Sequence, residues 1–116
     1  MAFDSALADR IRKRLAKRKG VAERQMFGGL AFLVNGNMCV GVHGNEMIVR
    51  LDPERTERAL AERHTKIFDL TGRPMKGWIL VRPQGLATAA SLGKWVTAGL
   101  TFAASLPSKS KAKRTS

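Results

Sequence analysis

Between residues 23 and 51 three clusters of turn-forming residues divide the chain into four short stretches, the last three largely apolar. The clusters are Gly28-Gly29, Asn35-Gly36-Asn37 and His43-Gly44-Asn45. Asn and Gly tolerate positive φ, so Asn35-Gly36-Asn37 is a strong hairpin signal. The spacing predicts strands over 23–27, 30–34, 38–42 and 47–51, joined as an antiparallel meander. Gly28-Gly29 reads as a break or bulge between the first two. Strands linked this tightly must pair as neighbours, which removes most other folds from consideration.

Helices are expected before and after the meander. Leu7, Ile11 and Leu15 recur every four residues, with Asp4 or Ser5 as a cap and Gly20 as a stop, predicting a helix over about 4–17. Asp52-Pro53 opens a second helix that runs to about residue 63. Residues 66–69 and 78–82 read as two more strands, separated by a Gly- and Pro-punctuated loop over 71–77. A last helix over about 88–106 presents Leu92, Trp95, Val96, Gly99, Ala103 and Leu106 on one face, and Pro107 ends it. No repeat occurs at solenoid or propeller periods. The expected fold is therefore α+β and two-layered. A largely antiparallel sheet packs with three helices in the order α-β-β-β-α-β-β-α, with an extra strand break allowed at Gly28-Gly29. The domain is expected over 1–107, followed by a disordered basic tail over 108–116. The core is expected to centre on Leu7, Ile11, Leu15, Phe32, Val34, Val40, Val42, Val49, Trp95, Val96 and Phe102.

The 30–34 stretch is apolar on both faces, and 38–42 and 47–51 nearly so. A half-solvated antiparallel sheet alternates more cleanly. Helices must then cover both faces, or a residual apolar face containing Ile48 must meet a second copy or another protein.

Composition bears on compartment and partner. Hydrophobic residues make up 44% of the 116, enough for a packed core. No apolar run approaches the roughly 18 residues of a membrane span, and no signal peptide is seen. Cys39 is the single cysteine, so no internal disulfide can form. A cytoplasmic protein is expected. The net charge is +12, with seven of the basic residues in the first 19 positions and four in the last 11. Such a field favours solubility and anionic partners.

Certain stretches carry a family resemblance. They are Met26-Phe-Gly-Gly-Leu-Ala-Phe-Leu-Val-Asn-Gly-Asn-Met38, Gly41-Val-His-Gly44 and Thr71-Gly-Arg-Pro-Met-Lys-Gly-Trp78. With a basic first helix and Trp95-Val96 in the last one, they resemble the N-terminal domain of the TfoX (Sxy) competence-regulator family over roughly residues 3–107. The resemblance implies a two-layer α+β fold and a link to transcriptional regulation of competence. Full-length regulators carry a second, helical domain, so this chain is expected to act as a stand-alone N-terminal domain. The resemblance transfers no catalytic or ligand residue.

The residues themselves offer little chemistry. Cys39 and His43 lie four apart, about 13 Å on a strand, too far to share a metal or to form a nucleophile–base pair. Gly28-Gly29 lacks the rest of a phosphate-loop pattern. Acidic residues such as Asp4, Asp52, Glu54 and Glu57 sit at helix starts and surfaces. No cofactor, metal or small-molecule substrate is expected. Two surfaces stand out. On the first helix Arg10, Lys13, Arg14 and Lys17 fall within an arc of about 100° and could follow a phosphate backbone. In the loop before residue 78, Arg73, Met75 and Lys76 adjoin Trp78 and could form a partner-binding edge, or Met75 and Trp78 could instead plug the core. Ile48 is the separate partner-binding candidate on the apolar sheet face. The expected function is a non-enzymatic regulatory or protein-interaction domain with a protein partner or a homodimer. The alternative is a sequence-nonspecific nucleic-acid binder using the first helix and the tail.

Overall fold

The computed structural model describes residues 3–26, 28–68 and 76–107. The first helix, α1, spans Ser5–Leu15. The Asp4 carboxylate caps it, accepting from the backbone N–H of Ala6 at 2.9 Å and of Leu7 at 3.1 Å, two donors that have no partner inside the helix. Leu7, Ala8, Ile11 and Leu15 are its buried stripe.

The meander forms as expected from its turns. Strands β1 Val21–Met26, β2 Gly29–Val34, β3 Asn37–His43 and β4 Glu46–Arg50 pair antiparallel in succession. Gly28, with φ 75°, turns the chain so that Met26 pairs with Gly29. The Gly28-Gly29 break is thus a hairpin and not a bulge. Asn35 and Gly36 both have positive φ, 52° and 82°, the geometry of a two-residue turn whose twist matches the flanking strands. The chain then makes a 3₁₀ turn at Pro53–Arg55 and a short helix α2, Thr56–Leu60, shorter than expected. Asp52 caps the turn through Glu54 N–H at 2.9 Å. Strand β5 Thr65–Ile67, strand β6 Trp78–Val81 and helix α3 Ala89–Ser105 complete the fold. Thr88 Oγ1 caps α3 by accepting from Ser91 N–H at 3.0 Å. The six strands form one antiparallel sheet in the order β1-β2-β3-β4-β6-β5.

The helices share one face of this sheet. Leu30, Phe32, Val34, Val40, Val42, Met47, Val49, Ile79 and Val81 meet Leu7, Ile11, Leu15, Ala59, Leu92, Trp95, Val96 and Ala103 in a single cluster. An irregularity in the ladder adjusts this face. Phe32 pairs with Val40 and Leu33 with Met38, which leaves Cys39 as an extra residue on β3. This bulge directs both Cys39 and Val40 toward the helices, whereas strict alternation puts Cys39 on the other side. Helix α3 crosses β3 here through Gly99, where a Cβ would stand 2.4 Å from the Cys39 carbonyl oxygen and 2.7 Å from Val40 Cγ1. Only glycine allows an approach this close.

The second face overturns one expectation. Ala31, Leu33, Met38, Ile48, Phe68 and Leu80 form their own buried cluster, with Trp78 packed against it. Phe68, just past β5, lies in this cluster with its ring edge-on to His43 at 6.4 Å and tilted to Trp78 at the same distance. The face is therefore buried within the chain, and Ile48 is fully buried. Among the described residues the only large hydrophobic side chain counted as exposed is Met26, so no residual apolar face with Ile48 at its centre is presented to a partner. The remaining difference is Phe102, expected in the core. It is half-buried, on a flank of α3 where its ring meets the Arg50 guanidinium at 5.5 Å. The expected tail over 108–116 lies outside the described residues.

Candidate interaction site

Helix α1 does not carry the uninterrupted basic ridge that its sequence suggests. Arg10 donates from Nη2 to the Leu86 carbonyl at 2.6 Å, and Arg14 donates from Nη2 to the Ala89 carbonyl. Both arginines thereby tie α1 to the segment that starts α3. Arg12 turns the other way, donating Nε and Nη2 to the two oxygens of Glu23 at 2.6 and 2.8 Å and Nη1 to Asp9 at 2.5 Å. These bonds raise the Arg12 pKa and lower that of Glu23. The pair is exposed, so it fixes the position of β1 on α1 more than it stabilises the fold. Of the four candidates, Arg10, Lys13 and Arg14 come together. They line a cleft of about 300 Å³ with Ala89 and Leu92. Lys17 stands outside that lining and is exposed.

The loop candidates separate. Arg73 and Met75 lie outside the described residues. Lys76 is exposed and Ile48 is buried. Trp78 is half-buried against the second cluster, and its outer face is covered by the Arg50 guanidinium 5.1 Å from the ring centroid. Arg50 thus stacks on both Trp78 and Phe102, and burial lowers its pKa.

One feature missed by the sequence reading is the outer edge of β1. Among the described residues β1 pairs with β2 alone, and residues 22–26 are exposed. Asn35 N–H donates to Gly20 O at 3.0 Å, and the register keeps residue numbers in each pair in step from there to Met26–Gly29. Antiparallel pairs alternate between bonded and non-bonded positions. Gly20, Ala22, Arg24 and Met26 therefore bond inward to β2, and the N–H and C=O groups of Val21, Glu23 and Gln25 point outward. Such a row is a template for another strand. Lys17, Arg18 and Lys19 precede it and Arg24 lies on it. None of these four makes an ion pair among the described residues.

Among the described residues, Cys39 and His43 are kept apart. The Cys39 thiol is buried, donates to Phe32 O at 3.3 Å, and is pushed up to about 11 by desolvation, so it stays protonated at neutral pH. The bulge places Cys39 on the helical face, while His43 contacts Phe68 on the opposite one. Among the described residues no group of three or more His, Cys, Asp or Glu could hold a metal ion, and no helix is long and apolar enough to cross a membrane. A shallow groove of about 450 Å³ runs between residues 51–55 and α3. Its Asp52 is used as a cap and its Lys94 is paired with Glu62.

The molecule is thus an α+β domain with one helical layer on a six-stranded antiparallel sheet, a cationic cleft and, among the described residues, an open strand edge at β1. The chain belongs to the TfoX N-terminal domain family, which matches residues 13–103. No curated protein and no solved structure matches it.

Proposed function

We propose that this domain is a non-catalytic regulatory module that binds a protein partner by accepting an extended segment of it along β1. The observation that carries the reading is the outward row of backbone groups at Val21, Glu23 and Gln25. Main-chain hydrogen bonds supply affinity in this mode, and the side chains beside the edge supply selectivity. Here those side chains include Arg24, and the lysine-rich turn before the strand adds Lys17, Arg18 and Lys19. An acidic segment fits them. Pairing of β1 with a second copy of itself brings together two chains of net charge +12 and sets like charges side by side, which disfavours a homodimer through this edge. The family's link to transcriptional regulation of competence agrees with a module that acts through a partner. A nucleic-acid ridge along α1 is less favoured, because carboxylates hold Arg12 and Lys17 stands apart from Arg10, Lys13 and Arg14.

Gln25→Pro tests this. Proline removes the outward N–H of residue 25 and leaves the bonds of Arg24 and Met26 to β2, a substitution that edge strands tolerate. Titration of the labelled domain with an extended peptide of alternating Glu and Val is expected to shift amides across Val21–Met26. Gln25→Pro is expected to abolish binding while the melting temperature stays near wild type. Shifts confined to other surfaces, or a variant that binds as well as wild type, would exclude the edge.

A further inference from the structure

The cleft between α1 and α3 has no role in strand addition, and its chemistry is specific. We infer that it binds a phosphate group carried by a small phosphorylated molecule. Three cations, Arg10, Lys13 and Arg14, face this one concavity. None of them is ion-paired among the described residues, and no acidic side chain lines the cleft. Like charges brought this close on neighbouring turns repel one another, and an anion seated between them relieves the repulsion.

The two arginines are also preorganised. A guanidinium offers five N–H donors in a fixed fork that matches phosphate oxygens. One nitrogen of each is committed, Arg10 to Leu86 O and Arg14 to Ala89 O. These bonds hold the side chains in place and leave further donors on each fork. Arg14 lies flat against α3 because residue 93 is glycine, where a Cβ would stand 2.7 Å from Nη1 and 2.8 Å from Cζ. Fixing a donor before the ligand arrives removes part of the entropic cost of binding. Ala89 and Leu92 form the apolar part of the lining.

Shape selects the source of the phosphate. A volume of about 300 Å³ is at the lower end of small-molecule sites. A polynucleotide backbone needs cations spaced along an open track, whereas these three converge and Lys17 stands apart.

The test uses inorganic phosphate and pyrophosphate at constant ionic strength, followed by calorimetry and amide shifts, with a DNA duplex as a parallel arm. Saturable pyrophosphate binding is expected, with shifts at Ala89 and Leu92. Lys13→Ala removes a cation that makes no hydrogen bond or ion pair among the described residues. Gly93→Ala displaces the Arg14 fork without changing the net charge. Each is expected to weaken binding by about tenfold, the loss typical of one charged hydrogen bond, with melting temperatures checked in parallel. Lys17→Ala is expected to leave binding unchanged. The inference is overturned if neither anion saturates, if Gly93→Ala binds as wild type, or if Lys17→Ala weakens binding as much as Lys13→Ala. Duplex binding that depends on Lys17 without pyrophosphate saturation would also overturn it, and would return α1 to a nucleic-acid role.

Discussion

Ile48→Glu is expected to unfold the domain at neutral pH. Ile48 lies at the centre of β4, is fully buried, and pairs with Gly41 on one side and Leu80 on the other. Its neighbours in the second cluster are Ala31, Leu33, Met38, Phe68 and Leu80, and none of these can pair with a carboxylate. An unpaired charge there costs several kcal/mol even after relaxation, and loss of the isoleucine adds about 2–5 kcal/mol. A domain of this size has about 5–15 kcal/mol in total. The penalty also has a pH signature. Burial raises the folded-state pKa of the introduced Glu above its unfolded value. The deficit relative to wild type is then smallest in acid and grows as pH rises through the folded pKa. Circular dichroism and urea denaturation across pH measure both effects. A folded, soluble variant that only falls apart from a larger assembly would mean that Ile48 is at a surface, as the alternation in its strand first suggests.

Trp95→Ala is expected to cost about 3–5 kcal/mol, the range for removing a large buried aromatic side chain. Trp95 is 5% exposed in the middle of the α3 stripe, between Leu92 and Gly99. Its ring is covered on one side by the Lys94 ammonium, 4.7 Å from the centroid. Helix α3 meets β2, β3 and β4, so a cavity beneath it loosens the helical layer on the sheet. Chemical denaturation monitored by the fluorescence of Trp78, on the other face, reads the change. A loss below about 1 kcal/mol would show that α3 faces the sheet with different residues.

Most of the fold was legible because it is encoded locally. Asn35-Gly36 specifies its own turn, Asp4 and Asp52 specify their own caps, and Leu7, Ile11 and Leu15 keep helical spacing. What was not legible depended on long-range register. Cys39 reverses its face because β3 carries one residue more than β2 at that point, and no local property of Met38-Cys39-Val40 announces this. Ile48 reads as an interface residue because the sheet is apolar on both sides. The sequence does not reveal that Phe68, just past β5, and Trp78, at the start of β6, both pack on its second face. The candidate sites followed the same division. Helical geometry put Arg10, Lys13 and Arg14 on one side of α1, but the cleft exists only where that side meets Ala89 and Leu92. The β1 edge is a property of strand order, which hydrophobic patterning does not contain. Arg24 and Gln25 therefore gave no signal of their own.

Hydrogen exchange at single residues of β1 tests the open edge most directly. In the free domain the amides of Ala22, Arg24 and Met26 are expected to exchange slowly, and those of Val21, Glu23 and Gln25 close to the unprotected rate. Saturation with the alternating Glu and Val peptide is expected to slow this second set and leave the first unchanged. Protection of Val21, Glu23 and Gln25 already present in the free domain would mean that the edge is covered. Continued fast exchange at these three amides in the peptide-bound domain would mean that the partner binds elsewhere, and either result contradicts recognition by strand addition.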